Sequence, residues 1–155
     1  MAFGALARWL YRGGRPNRLA RLVNGLWARA FSLGVARDYL VTLEVRGRRS
    51  GRTMTLPMVM AVVDGERYLV SMLGEHAEWV RNVRAADGQA VLIHGRREAV
   101  RLDDVPVPLR APILKAYLRC APGARPHIPV DTDAPLAAFE AVAPTRPVFR
   151  VVPRG

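Results

Sequence analysis

Apolar and polar residues alternate along residues 39–46, and this period of two predicts a half-buried β-strand. The polar segment 47–52 contains two glycines and predicts a turn. Residues 53–63 are almost all apolar and predict a buried strand. Because proline cannot donate a hydrogen bond to a neighbouring strand, Pro57 requires this strand to be bent, bulged or at an edge.

The rest of the chain contains four more strand patterns and three helical patterns. Asp64-Gly65 is a hairpin signal that joins the buried strand to the next one. The predicted strands are 66–72, 89–94, 97–103 and 146–152, and the predicted helices are 76–86, 112–120 and 134–142, with a loop at 121–132. Strands joined by hairpins, with helices between them, favour an α+β fold: a mostly antiparallel sheet or small barrel with flanking helices.

Residues 1–36 have a different pattern and predict a basic amphipathic arm before a domain of residues 37–155. Apolar residues recur at helical spacing within residues 17–33, and the first 37 residues hold seven arginines and no acidic residue. Such a helix either packs on the domain or lies on an anionic membrane, and both alternatives stay open. The segment that could contact a membrane surface is 1–33.

Composition narrows the class of protein. The chain has 155 residues, of which 50% are hydrophobic and 24% charged, so it is a globular domain and not a disordered chain. Its net charge of +11 favours an anionic partner. No base-reading module is found, so we expect no nucleic-acid partner. No apolar stretch approaches the length of a membrane span, which predicts a cytoplasmic protein, peripheral on the inner face of the membrane if the arm binds lipid.

Cysteine and histidine positions exclude two kinds of site. Cys120 is the single cysteine, so neither an internal disulfide nor a cysteine-based zinc cluster can form. His76, His94 and His127 lack the spacing of metal ligands. We therefore predict no metal site.

The densest polar feature is the turn from Arg46 to Arg52, which contains four arginines, one serine and two glycines. Glycine allows close backbone approach, and exposed N–H groups in such a turn form an anion-binding nest. Arginine adds bidentate recognition of phosphate or carboxylate. The turn is a candidate anion site, and its alternative is a solvated hairpin tip.

Two motifs resemble a known family. The segment Gly47-Arg48-Arg49-Ser50-Gly51-Arg52, followed by Pro57, resembles the GRKSG-x-x-x-x-x-P signature of the deazaflavin (F420)-dependent nitroreductase family. Ser71, Gly74, Trp79 and Asn82 resemble that family's later S…G…W…N pattern. The resemblance extends over residues 39–103.

The resemblance implies a split β-barrel with flanking helices that binds F420 and passes a hydride to a quinone, nitro or related small-molecule acceptor. Some family members have a basic N-terminal segment that associates with membranes, and split barrels often form homodimers. Carried over by position, the cofactor would be held by Arg48, Arg49, Ser50, Gly51 and Arg52 at its phosphate and tail. Its ring would be lined by Thr55, Leu56, Pro57 and Met58. The ring edge or the tail would meet Ser71, Met72 and Gly74, and Trp79 would form a wall of the pocket.

The chain also departs from the family pattern. Glu78 replaces the proline that usually precedes the tryptophan, and the late loop lacks the tyrosines that line the acceptor pocket in the nitroreductase type. Tyr117 and His127 are therefore the candidate catalytic residues. The alternative is a split barrel that uses FMN, or that binds a fatty acid or other apolar ligand without turnover.

Overall fold

The computed structural model describes residues 40–154, which form six strands and three helices. The strands are β1 (Leu40–Arg46), β2 (Thr53–Val63), β3 (Glu66–Val70), β4 (Gln89–Ile93), β5 (Arg97–Asp104) and β6 (Val148–Pro153). The helices are α1 (Glu78–Ala85), α2 (Ala111–Cys120) and α3 (Leu136–Val142), and shorter 3-10 segments cover Val107–Leu109, Pro122–His127 and Ala143–Thr145. All neighbouring strands are antiparallel and close into a barrel in the order β1-β2-β3-β6-β5-β4.

This architecture confirms the predicted antiparallel barrel with flanking helices. Each predicted element is present with its ends within two residues of the predicted ones. The hairpin between β2 and β3 has the expected backbone, since Asp64 and Gly65 both have positive φ angles, 51° and 77°. The amphipathic helix at 17–33 and the division at residue 36 lie outside the described residues, so they stay predictions.

Strand β2 changes partner along its length. Residues 53–59 pair with β1, where Pro57 lies opposite Thr42, and residues 60–63 pair with β3. The first half of β2 therefore has a strand neighbour on one side only within the described residues. Pro57 lies in this half, which confirms the edge position that its missing N–H predicts.

Two apolar clusters hold the fold together. The first fills the barrel with alternate residues of the strands, such as Leu43, Leu92 and Phe149, and it includes Trp79 and Val83 of α1. The second lies outside the barrel wall, where α2 packs on β2 and β3 and α3 packs on α2. Helix α1 thus contributes to the core of the barrel, whereas α2 and α3 form a layer beside it.

A charged cluster lies at the N-terminal ends of β3 and β5. Arg67 donates two hydrogen bonds to the Glu98 carboxylate, at 2.7 and 2.8 Å, and Nε2 of His94 lies 3.2 Å from the same carboxylate. Strand alternation places Arg67 and Glu98 on the same face as the core residues Leu69 and Val100. The hydrogen bonds from Arg67 lower the pKa of Glu98 to about 2, because they stabilise the ionised form.

We expect Glu98→Gln to lower the free energy of unfolding at pH 7 by about 2 kcal/mol, because a bidentate charge-assisted contact is lost. The folded-state pKa of Glu98 lies below its ordinary value of 4.5. The stabilisation is therefore present above about pH 4.5 in the parent protein and is lost as the pH falls towards 2. Urea unfolding between pH 2 and pH 7 measures both effects.

Asp103→Asn is the matched control on the same strand, since Asp103 pairs with the more exposed Arg101. It should change the free energy of unfolding by less than about 0.5 kcal/mol. Equal losses in the two variants would contradict a special role for the Glu98 cluster.

Candidate functional site

The loop between β1 and β2 is a closed turn. The N–H of Gly47 donates to the carbonyl of Arg52 at 2.8 Å, and the N–H of Gly51 donates to the carbonyl of Gly47 at 2.9 Å. Gly51 has a φ of +69°, which favours glycine at this position. These contacts shape residues 47–52 into a loop whose tip projects from the barrel.

The tip of this loop presents exposed arginines and, within residues 40–154, unbonded N–H groups. The backbone N–H groups of Arg49 and Ser50 donate no hydrogen bond to any residue in the described part of the chain. The side chains of Arg49 and Arg52 are exposed and likewise pair with none of residues 40–154. Free donors and unpaired guanidinium groups together form the nest that the glycines and arginines predict.

A basic groove extends from this loop along the barrel wall. It has a volume of about 770 Å³ and runs past β1, β4 and the end of α1. Arg46, Arg48, Arg49 and Arg154 line it, together with the acidic residues Glu44 and Asp87. Two hydrogen bonds of 2.7 and 2.9 Å from Arg97 to Glu44 offset the charge of that carboxylate. The groove therefore favours an extended anion.

Arg48 has a different environment from the other arginines of the loop. Its Nη1 lies 2.7 Å from Oε2 of Glu78 and 2.9 Å from Oδ1 of Asn82, and its backbone N–H also donates to Oδ1 of Asn82 at 3.1 Å. The hydrogen bond from Arg48 lowers the pKa of Glu78, and the charges of Arg48, Arg49 and Arg81 act in the same direction. Arg48 therefore fastens the loop to α1.

Sequence reasoning did not include Glu78 and Asn82 among the site residues. Their spacing of four places both on one face of α1, which is the signal that could have identified them. Asn82 is 1% exposed. Because a buried side-chain amide needs hydrogen-bond partners, a polar loop packed on this helix was to be expected.

An apolar pocket lies on the other side of Asn82. Its lining combines the one-sided part of β2 with residues from the turn after β3, from α1 and from α2. Of the predicted ring-binding residues, it contains Thr55, Leu56, Pro57, Met58, Met72 and Trp79, and it also contains Met54, Leu73, Glu78 and Tyr117. Nδ2 of Asn82 lies 3.1 Å from Sδ of Met54, so Asn82 separates this pocket from the basic groove.

Ser71 and Gly74 do not line the pocket but shape the turn that does. The Ser71 hydroxyl donates to the carbonyl of Gly74 at 2.7 Å, and the Ser71 N–H donates to the carbonyl of Pro147 at 2.9 Å. A Cβ on Gly74, whose φ is +94°, would lie 3.2 Å from the carbonyl oxygen of Thr145. This tight turn places Met72 and Leu73 at the pocket.

The two candidate catalytic residues lie in different places. Tyr117 is 2% exposed and lines the apolar pocket, and its hydroxyl has no hydrogen-bond partner among residues 40–154. Burial raises the pKa of Tyr117, so its hydroxyl stays protonated. His127 is half-buried in the segment Pro122–His127, and its carbonyl accepts a hydrogen bond of 2.9 Å from Arg146. It lines neither the groove nor the pocket.

Residues 40–154 contain no group of three His, Cys, Asp or Glu side chains that could hold a metal ion. None of the helices α1 to α3 is long and apolar enough to cross a membrane.

The polar loop, the basic groove and the apolar pocket therefore lie next to one another on one barrel. The model of the F420H(2)-dependent quinone reductase family matches residues 21–135. Because this match covers more than half of the chain, the protein belongs to that family. The predicted class, an F420H2-dependent oxidoreductase, is confirmed by this match. The comparison with curated proteins finds no match.

Solved structures share the fold at low identity. Protein Atu2129 from Agrobacterium tumefaciens superposes with a TM-score of 0.55 and 14% identity over 76% of this chain, which spans 49% of its length. An F420-H2 dependent reductase, FDR-A, gives a TM-score of 0.52 and 18% identity over 73% of this chain and 93% of its own. A domain-swapped dimer gives 0.52 and 16%, over 81% and 96%. At these identities the similarity shows the fold alone.

We expect Asn82→Ala to release the loop from α1, because three hydrogen bonds to or from its side chain are lost and Arg48 keeps only Glu78. The free energy of unfolding should fall by about 2 kcal/mol. Amide hydrogen exchange at Arg48 and Gly51, whose N–H groups are hydrogen-bonded in the parent, should rise more than exchange in β5. Gln89→Ala, at an exposed residue of the same groove, is the control and should change neither quantity. Unchanged exchange in the loop would contradict the role of Asn82.

Proposed function

We propose that this protein binds F420 across the basic groove and the apolar pocket and transfers a hydride from F420H2 to a quinone. The observation that carries the proposal is the juxtaposition of the two compartments, which meet where Asn82 of the groove contacts Met54 of the pocket. F420 has an apolar, planar deazaflavin head and a tail with a phosphate and several carboxylates. One compartment suits each part.

The tail fits the groove by charge. Arg46, Arg49 and Arg154 line it, and the free N–H groups of Arg49 and Ser50 add donors at the loop tip. Arg52 belongs to the loop but does not line the groove, so it contributes charge at its margin. A phosphate at the loop would accept hydrogen bonds from both the backbone and the guanidinium groups.

The deazaflavin head suits the pocket for two reasons: the lining is mostly apolar, and one edge of β2 is open there. Pro57 and its neighbours expose one side of β2 to the pocket, where a ring with carbonyl and N–H groups could hydrogen-bond to the backbone. The pocket has a volume of about 80 Å³, below that of typical ligand sites. A ring would therefore displace the flexible side chains of Met54, Met58 or Met72, or extend past the exposed Leu73.

The protein's contribution to the reaction is positioning and proton supply. F420H2, when bound, supplies the hydride. The apolar lining excludes water from the acceptor, and the pocket walls hold it against the cofactor. Reduction of a quinone adds a proton at oxygen for each hydride at the ring. The Tyr117 hydroxyl, which lines the pocket and is unpaired within residues 40–154, can donate to that oxygen.

Fluorescence titration with F420 tests the cofactor assignment. We expect Arg46→Ala/Arg49→Ala to weaken binding by about 100-fold, because two charge-assisted contacts at a partly exposed site are lost. Arg96→Ala/Arg119→Ala is the matched control: it removes the same net charge from exposed residues outside the groove. Equal weakening in both double variants would mean that only net charge matters. Absence of F420 binding together with FMN binding would favour the flavin alternative, and co-purified lipid without turnover would favour the carrier.

We expect Tyr117→Phe to lower kcat for a menaquinone analogue by about 100-fold, since a proton donor is removed while the packing is kept. The Kd for F420 should stay within about two-fold, because the hydroxyl is assigned to the acceptor. Tyr68→Phe, on β3 and outside the pocket, is the control. A Tyr117→Phe enzyme with the parental kcat would rule out this proton donor, and His127 would be the next residue to test.

Two further assignments depend on residues or chains beyond those described. We propose that residues 1–33 bring the enzyme to an anionic membrane, where a quinone would dissolve. Flotation with vesicles containing anionic lipid, with and without these residues, tests this. We also keep the homodimer as a prediction, which sedimentation of the full chain tests.

A further inference from the structure

We propose that Glu78, Arg48 and Asn82 act as positioning residues that fix the distance between the tail site and the ring site, so that F420 binds as one ligand across both. The inference rests on the proposed function and concerns residues that touch each other across the boundary of the two compartments. Glu78 lines the apolar pocket, whereas Arg48 and Asn82 line the basic groove.

Arg48 and Asn82 of the groove each contact a residue that lines the pocket. Arg48 reaches from the loop to Glu78 at 2.7 Å, and Asn82 reaches from α1 to Met54 of the pocket at 3.1 Å. Oδ1 of Asn82 accepts two hydrogen bonds from Arg48, one from the backbone and one from the guanidinium. The loop that carries the tail site is therefore tied to the helix that carries Trp79 of the ring site.

The ties also separate Arg48 from the other arginines of the loop. Its side chain is 18% exposed, and the same nitrogen, Nη1, faces both acceptors on α1. Arg49 is exposed and forms no ion pair within residues 40–154. The two neighbouring arginines thus have different roles. Arg49 is available to bind an anion, whereas Arg48 positions the loop that would hold the anion.

Helix α1 is itself fixed to the barrel, so the trio has a firm base. Trp79 packs against Phe149 with ring centroids 5.5 Å apart, and Val80 and Val83 are fully buried. At the end of the helix, a Cβ on Gly88 would lie 2.5 Å from the carbonyl oxygen of Leu102. The ion pair between Arg48 and Glu78 therefore holds the loop against a helix that is packed into the core.

This arrangement has a specific thermodynamic consequence. When two sites bind the two ends of one ligand, the second contact forms at an effective concentration set by the geometry between the sites. Loosening that geometry weakens the intact ligand but leaves each end with its own affinity. A residue that contacts the phosphate directly would instead weaken the tail fragment as well.

The experiment compares three probes in the full chain: F420, the deazaflavin riboside that lacks the phosphate and glutamyl tail, and inorganic phosphate. We expect Glu78→Ala to weaken F420 by about 10-fold and to change the affinity for phosphate by less than about two-fold. The loss for the riboside should be smaller than the loss for F420, although Glu78 lines the pocket. Glu78→Gln keeps a hydrogen-bond acceptor for Arg48 and should give a smaller loss.

Glu75→Ala is the matched control. Glu75 precedes the same helix and forms an ion pair of equal length with Arg84, 2.7 Å, but it lines neither compartment. Both substitutions raise the net charge by one, so a general increase in affinity for anionic ligands would appear in both variants. We expect Glu75→Ala to change none of the three affinities by more than about two-fold, and thermal melts verify that each variant is folded.

Three results would overturn the inference. Parental affinity of Glu78→Ala for F420 would show that the ion pair does not position the loop. Equal loss for F420 and phosphate would place the pair in the anion site itself, and a gain in phosphate affinity would show that Glu78 competes with the anion for Arg48. If the parent protein binds neither F420 nor the riboside, the proposed function fails and this inference fails with it. Tight parental binding with an unchanged variant rejects the inference alone.

Discussion

Strand β2 pairs first with β1 and then with β3, and the apolar pocket depends on this change of partner. It pairs with β1 as far as Val59 and with β3 from Met60 onward. A strand that moves from one neighbour to the next leaves an edge without a ladder partner, and here the edge lies in the half that contains Pro57. Because neither β1 nor β3 covers that edge, side chains from the turn after β3, from α1 and from α2 line the space beside it. The pocket is thus a product of barrel topology.

The arginines fall into two groups: some hold the fold together, and others line the basic groove. Some arginines close the fold: Arg110 is 6% exposed and donates to the carbonyls of Val105 and Ala143, and Arg84 joins Glu75 to Asp104. Others, such as Arg49, are unpaired within residues 40–154 and line the groove. The planar guanidinium suits both uses, since it can satisfy several carbonyls when buried and form a fork on an anion when exposed. Net charge alone does not distinguish the two groups.

The elements of residues 40–154 could be predicted because their signals are local. Alternation identified β1, and the hairpin Asp64-Gly65 joined β2 to β3. The role of Arg48 was not accessible in this way. Its partners lie 30 and 34 residues further along the chain, and only the packing of α1 on the barrel brings them together. Tyr117 lies even further along the chain, more than 50 residues after β2, the strand whose open edge lines the same pocket.

The sequence by itself determined the order of strands and helices in residues 40–154, the turn at residues 47–52 and the family. Hydrophobic period, turn residues and a contiguous motif are properties of neighbouring residues, and each acts over a few positions. The tertiary structure decided which arginines stay available, which turn residues face the pocket and which support it, and that Tyr117 rather than His127 lines the pocket. These depend on barrel closure and on the seating of α1 and α2, which bring distant segments into contact through burial that no local pattern specifies.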